Sequence, residues 1–242
     1  MWQSAAMALD FDRFDALTFD CYGTLIDWEA GIVAAFTALC GAHDVHFAAE
    51  EILASHARHE ARIEEGPFRI YRDVLVEVGR AVCLEYGVDA TEDELAAFGG
   101  SVAAWPAFDD SAEALAQLAT RFRLGIITNC DDDLFAASNR KLGVTFDPIV
   151  TAQQVQSYKP AKRNFEAMFE RIELPPDRIL HVAQSLFHDH VPARELGLAT
   201  VWVDRRHGRP GSGATPAAAA SPDLTVPDMA SLAAMAIGGG TA

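Results

Sequence analysis

In Ala16-Leu17-Thr18-Phe19-Asp20-Cys21-Tyr22-Gly23-Thr24-Leu25 an unbroken apolar run ends in a carboxylate, with a glycine and a hydroxyl close behind. A short β-prone run without alternation fits a central parallel strand covered on both faces. Gly23 lets the backbone turn sharply beside the acid. Beyond Asp27 the pattern becomes helical, with Ile32, Ala35, Phe36 and Leu39 on one face. Helical patterning continues through 51–64, 71–86 and 91–98, and Thr91-Glu92-Asp93-Glu94 reads as an N-cap with an acidic first turn. No strand is legible between Trp28 and Trp105. After that, apolar runs at 124–128, 148–151, 179–183 and 199–203 alternate with helical segments, and Leu224-Thr225-Val226 reads as a last short strand. Alternating strand–helix units predict an α/β fold, a Rossmann-like parallel sheet with helices on both faces. The all-helical segment interrupts it just after its first strand. The expected domains are therefore an α/β core from 1–27 and 107–242, and a helical insertion over 28–106.

The chain carries 35 acidic and 19 basic residues, a formal net charge of −16. Nucleic acid and anionic membranes both need a basic face, so neither is expected as a partner. The cysteines, Cys21, Cys40, Cys83 and Cys130, form no C-x-x-C pair. Neither a zinc site nor a redox motif is indicated, and scattered single thiols suit a reducing cytoplasm. Met1-Trp2-Gln3-Ser4-Ala5-Ala6 has no signal-peptide pattern. No apolar stretch approaches the ~20 residues of a membrane span.

Ligands of open parallel sheets sit beyond the carboxyl ends of the strands. There the first strand delivers Asp20, Tyr22, Gly23 and Thr24; the second delivers Thr128, Asn129 and Asp131. The loop after the third brings Ser157-Tyr158-Lys159-Pro160, and the fourth brings Gln184, Ser185, His188 and Asp189. Carboxylates, a lysine, hydroxyls and amides thus converge from separate segments. A carboxylate can attack carbon or phosphorus and form an ester, splitting one hydrolysis into two easier steps. A neighbouring ammonium, here Lys159, keeps such a nucleophile ionised.

In this order, Asp20-Cys21-Tyr22-Gly23-Thr24, Thr128-Asn129, Lys159-Pro160 and the segment ending at Asp189 resemble the four motifs of the haloacid dehalogenase superfamily, and 28–106 resembles its cap domain. The resemblance implies Asp20 as nucleophile, with Thr24, Lys159 and Asp189 completing the catalytic group. Most superfamily members are magnesium-dependent phosphatases with a D-x-D-G-T first motif and a G-D-S-x-x-x-D fourth motif. Here Tyr22 replaces the second acid of one and Gln184 the first acid of the other. An amide is a poor substitute for a hard anionic ligand, so no metal and no cofactor are expected. The D-x-Y-G-T form resembles the (S)-2-haloacid dehalogenases, which displace halide from the carbon beside a carboxylate and release a 2-hydroxy acid. A halide leaves without a proton, so the missing phosphatase acid is no handicap.

Two departures stand out: Phe165 where the dehalogenase pattern has Tyr, and a fourth motif, 183–189, that is one residue longer. Phe19–Trp28, His188–Ala193, Arg205-Arg206-His207-Gly208 and Gly213-Ala214-Thr215 resemble a subgroup containing L-azetidine-2-carboxylate hydrolase. There a ring amine leaves instead of halide, and His188 is the local candidate for its proton. The expected substrate is a small carboxylate, bound by Tyr22, Thr128, Asn129, Gln184, Ser185, His188 and a cap arginine, Arg58. Trp28, Phe68, Trp105 and Phe187 are candidate apolar walls. A homodimer through the cap is implied at family level. A phosphatase is the alternative from another reaction class.

Overall fold

The protein is described from a computed structural model covering residues 9–206, 209 and 214–238. The readings at Met1–Ala6, His207, Gly208 and Gly213 lie outside the described residues. Six strands, β1 (Ala16–Phe19), β2 (Arg123–Thr128), β3 (Ile149–Thr151), β4 (Ile179–Ala183), β5 (Ala199–Val203) and β6 (Leu224–Val226), form one sheet in the order β3-β2-β1-β4-β5-β6. Every pairing is parallel. β1 lies between β2 and β4 and all its residues are buried, which is why the run carries no polar alternation. The chain winds outward from β1 to β2 and β3, then restarts at β4 on the other side. The crevice at that reversal is where such folds hold ligands.

The helical insertion comprises α1 (Trp28–Gly41), α2 (Ala49–Glu64), α3 (Tyr71–Glu85) and α4 (Glu92–Gly99). α1 starts where Asp27 caps it, its carboxylate accepting from the Ala30 N–H at 3.1 Å. α4 starts with a reciprocal capping box between Thr91 and Glu94. The stripe Val74, Leu75, Val78 and Val82 on α3 is fully buried, and each such aliphatic side chain contributes roughly 1.5–3 kcal/mol of burial. Gly31 permits the tightest contact in the insertion. A Cβ there would lie 2.3 Å from Trp105 Cγ, so any larger residue must push the indole away. Entry and exit of the insertion are tied together: Ile26 bridges Ala107 antiparallel, and the Asp27 N–H donates to the Pro106 carbonyl at 2.8 Å.

The remaining helices, α5 (Ser111–Leu118), α6 (Asp132–Leu142), α7 (Ala152–Val155), α8 (Arg163–Ile172), α9 (Val191–Glu195) and α10 (Met229–Gly238), belong to the core. Leu142 is followed by Gly143 in the left-handed conformation, the expected helix stop. Helix α5 ends at Leu118, where Ala119 caps it and a turn leads into β2. A five-residue π-type turn, Leu186–His190, precedes α9 and is not legible from periodicity.

Candidate active site

The first strand is continued by Asp20, whose N–H donates to the Val182 carbonyl at 3.1 Å. The sheet therefore fixes the backbone that carries the nucleophile. The chain then folds into a tight loop. Gly23 sits at φ +92°, and its N–H donates to the Ile26 carbonyl at 2.8 Å. A side chain at 23 would be strained by that angle and would meet the Trp28 indole at 2.9 Å.

The loop places Thr24 under Asp20, and the Thr24 hydroxyl donates to Asp20 Oδ2 at 2.6 Å. Thr24 in turn accepts from the Gln184 N–H at 2.9 Å, which ties β1 to β4. Lys159 Nζ donates to Asp20 Oδ1 at 2.8 Å, to Asp189 Oδ1 at 2.7 Å and to the Ile127 carbonyl at 3.0 Å. All three hydrogens of the ammonium are therefore engaged. Asn129 pins the lysine loop, accepting from the Lys159 N–H at 2.6 Å and donating to its carbonyl at 3.0 Å. A histidine that reads as core in the sequence, His181, meets Asp189 Oδ1 at 3.0 Å and Thr18 Oγ1 at 2.9 Å. Oδ2 of Asp189 is buried and has no hydrogen-bond partner among the described residues.

Burial pushes the Asp20 carboxyl above the ordinary range, and the charge on Asp189 adds to this; Lys159 and Thr24 pull it back. For Asp189 burial acts in the same direction but is outweighed by Lys159 and His181, which hold the group well below the usual carboxylate range. Burial disfavours the Lys159 charge, yet the two carboxylates more than restore it.

The extra residue of the fourth motif is absorbed by the π-type turn. The His190 N–H reaches back to the Ser185 carbonyl, five residues away, at 3.3 Å. Asp189 is thereby still delivered to Lys159. Ser185 Oγ accepts from the His188 N–H at 3.0 Å and meets the His188 Nδ1 at 3.2 Å. Burial pushes the His188 imidazole down to about 4, which favours its neutral form at physiological pH. Phe165 packs edge-on against the His181 ring, 5.2 Å between centroids.

These groups line a cavity of about 40 Å³ bounded by Asp20, Tyr22, Trp28, Asn129, Lys159, Ser185, His188 and Asp189, with Glu60, Glu64 and Tyr71 closing it from the insertion. A wider cleft of about 430 Å³ leads to it between α2 and the loops carrying Tyr158, Pro160 and Phe187.

Several expected ligands are elsewhere. Arg58 is exposed and donates to Glu85 at 2.8 Å, pointing away from the cavity. At 100° per residue it lies about 200° around α2 from the inward-facing His56 and Glu60. The Thr128 hydroxyl is buried without a partner among the described residues, off the cavity lining, and Gln184 contributes its backbone N–H rather than its amide. Asp131 caps α3 instead, accepting from the Tyr71 and Arg72 N–H groups at 2.8 and 2.9 Å. Of the proposed aromatic walls only Trp28 lines the inner cavity; Phe187 lines the outer cleft, Trp105 packs on Tyr22, and Phe68 on Tyr158.

Sequence reasoning missed Glu60, Glu64 and Tyr71. The signal was the spacing Ile52-His56-Glu60, which continues a buried helix face with polar residues. Buried Glu60 accepts from the Tyr71 hydroxyl at 2.8 Å and lies 3.3 Å from His56 Nε2.

A superfamily phosphatase would hold magnesium between acids at this edge. Here Asp20 and Asp189 share the Lys159 ammonium, the Tyr22 hydroxyl lies 3.0 Å from Ser138 Oγ, and position 184 is an amide. That donor set does not fit a hard divalent cation.

The model of the haloacid dehalogenase-like hydrolases matches residues 14–185. The chain belongs to this family. An (S)-2-haloacid dehalogenase of Pseudomonas putida is 23% identical over 207 residues, covering 81% of this chain and 87% of that protein. A defluorinating L-2-haloacid dehalogenase superposes with a TM-score of 0.78 at 21% identity, over 91% of this chain and 94% of that one. The Xanthobacter autotrophicus L-2-haloacid dehalogenase with chloropropionic acid covalently bound superposes with a TM-score of 0.77 at 21% identity, over 95% and 100% of the two chains. As a haloacid dehalogenase-like hydrolase the chain is an enzyme with the parallel-sheet core and helical cap of that fold. Among the described residues no helix is long and apolar enough to cross a membrane, and no cluster of three or more His, Cys, Asp or Glu could hold a metal ion.

Proposed function

We propose that the protein is a hydrolytic 2-haloacid dehalogenase in which Asp20 displaces halide, fluoride included, from the α-carbon of a short 2-haloalkanoic acid. One observation carries this reading. A buried carboxylate is oriented by Lys159 and Thr24, with a tyrosine instead of an acid two residues on. The site is thus equipped to attack and not equipped to protonate an oxygen leaving group. The named relatives support the same chemistry.

In the first step an Asp20 oxygen forms a bond to the α-carbon, the carbon–halogen bond breaks, and halide departs with the electron pair. In the second, water attacks the Asp20 carboxyl carbon, which regenerates the aspartate and releases the 2-hydroxy acid and a proton. The unpaired Oδ2 of Asp189 orients that water. Tyr22, Asn129, Ser185 and His188 border the substrate. We divide the chain into a core, 1–27 with 107–242, and a cap, 28–106, because α2 and α3 roof the cavity built by the core. Four buried free thiols suit a cytoplasmic enzyme. The resemblance carries a homodimer through the cap, which sedimentation velocity measures.

A single turnover in ¹⁸O water with enzyme in excess tests the mechanism. Label is expected in the Asp20 carboxyl; label in the 2-hydroxy acid instead sinks the covalent route. Magnesium-dependent turnover of p-nitrophenyl phosphate would restore the phosphatase alternative.

A specific observation favours a second reading, L-azetidine-2-carboxylate hydrolysis by the same substitution. The cap presents carboxyl groups to the cavity where a haloacid site is expected to present an arginine.

A further inference from the structure

Four carboxyl groups line the inner cavity, Asp20, Asp189, Glu60 and Glu64, against one ammonium, Lys159. That ammonium is already shared by Asp20 and Asp189. His188 is neutral and adds no charge. Two carboxyl groups of the roof therefore face the substrate; the His56 ring lies 3.3 Å from Glu60 behind the lining, and neither carboxyl has a further cation in the lining itself. The outer cleft repeats the pattern, with Glu60, Glu64 and Glu65 along one wall.

Glu60 is built into place. It is 7% exposed, accepts from the Tyr71 hydroxyl, and has the His56 ring beside it. Tyr71 is itself fixed because Asp131 of the core caps its helix. Burial raises the Glu60 carboxyl, but His56 and Tyr71 outweigh that and leave it below its ordinary value. One turn on, half-buried Glu64 is pushed well above the carboxylate range, by burial first and by Glu60 second, against a smaller pull from Lys159. The roof thus sets two carboxyl groups one helical turn apart, the charged form of Glu60 favoured by His56 and Tyr71 and that of Glu64 disfavoured by burial and by Glu60. Trp28, Tyr22 and Tyr71 supply aromatic surface around the same space, which suits a cation as well. Across the cavity, the unpaired Oδ2 of buried Asp189 is a further acceptor for an N–H donor.

We infer that Glu60 is a specificity-determining residue that selects 2-substituted carboxylic acids whose leaving substituent is a protonated amine. This rests on the reading of Asp20 as a nucleophile at the α-carbon. An Asp20 oxygen bonds to that carbon, the C–N bond breaks, and the pair goes to a nitrogen that already carries its protons, so it departs as a neutral amine. Water then hydrolyses the ester, and the proton released is taken up by the amine. No general acid is required, which agrees with a neutral His188.

The test compares azetidine-2-carboxylate with (S)-2-chloropropionate on the wild type and on Glu60→Gln, which keeps an acceptor for Tyr71. Glu60→Gln is expected to lower kcat/KM for the amine about 100-fold, the scale of an unpaired buried charge. It is expected to raise kcat/KM for the haloacid, since a like charge is removed. Equal losses on both substrates, with an unchanged melting temperature, would make Glu60 a structural residue and overturn the inference. A wild type that turns over the haloacid but not the amine overturns it while leaving the proposed function standing; turnover of neither removes both. A binding measurement guards against misfolding of the variant. In Asp20→Asn with Glu60 intact, calorimetry should show azetidine-2-carboxylate binding at least 10-fold more tightly than its carbocyclic isostere cyclobutanecarboxylate. Equal affinity would overturn the inference.

Discussion

The floor and the roof of the cavity are built on different principles. The floor comes from strand ends at the sheet reversal, so its spacing follows from strand pairing at about 4.8 Å. Its charges are matched: Lys159 bridges Asp20 and Asp189, and every hydrogen of the ammonium is used. The roof comes from two helices of an insertion joined to the core through Ile26–Asp27 and Pro106–Ala107. Its carboxyl groups have polar neighbours but no cation in the lining. A matched floor is a reaction centre that needs little from its ligand. A roof whose only basic neighbour, His56, lies behind the lining leaves the cavity side of Glu60 to the ligand. The reaction is thus written in the sheet and the choice of substrate in the insertion.

The sharpest way to break this division is at Asp20. Asp20→Asn retains shape and can still accept from Thr24, but it offers no anionic nucleophile. Turnover is expected to fall by about 10⁴-fold or more, the scale seen when a nucleophile is removed, while binding of small acids persists. Rapid-quench and steady-state product assays measure this. Retained turnover would mean that water attacks directly and the floor is only an electrostatic cradle.

The floor was legible in the sequence for the same reason that it is rigid. Parallel strands advertise themselves as unbroken apolar runs, and polar residues at their ends must lie at one edge. Asp20, Lys159 and Asp189 follow from that rule together with the motif order. The strand order was not legible, since alternation shows only that strands are parallel and covered. His181 was hidden inside an apolar run, and nothing local tells a hydrogen-bonded histidine from a merely buried one. The length of the fourth motif does not by itself show the π-type turn over Leu186–His190 that accommodates it. The roof failed on phase. A carboxylate substrate calls for an arginine, but residue type alone does not say which face of α2 Arg58 occupies. Ile52, His56 and Glu60 answer that question.

A smaller effect sharpens the boundary of the floor at His181. It touches Asp189 and Thr18 but does not line the cavity, so it acts as a positioning residue. His181→Leu removes one of the contacts that depress the Asp189 carboxyl, so that carboxyl rises. Asp189 must remain ionised to orient water, so the acid limb of the kcat profile should move to higher pH. The maximal rate is expected to fall about 10- to 100-fold, the scale of a misplaced reacting group. His181→Gln, which restores a donor toward Asp189, should recover part of both. A rate loss with an unmoved acid limb would reduce His181 to packing against Phe165.

The smallest effect is expected at Arg58, and it bears most directly on the roof. Arg58 and Glu85 form a solvent-facing pair with side-chain exposures of 60% and 39%. Such pairs contribute about 0.2–1 kcal/mol, because two long side chains are ordered in a medium that screens their attraction. Glu85 also keeps Ser55 and His59 as partners, so Arg58→Ala leaves no isolated charge. The melting temperature should therefore drop by no more than about 4 °C. Steady-state kcat/KM should stay within about twofold of the wild type for haloacid and amine substrates alike. A tenfold loss confined to kcat/KM would contradict the geometry. To reach the cavity Arg58 would have to exchange faces with His56 and Glu60, a rotation of α2 by about half a turn. That rotation would expose Ile52 and break the Tyr71–Glu60 bond, so it cannot occur without a loss of stability larger than the mutation itself causes. Unchanged kinetics leave the acid face of α2 as the one the substrate meets.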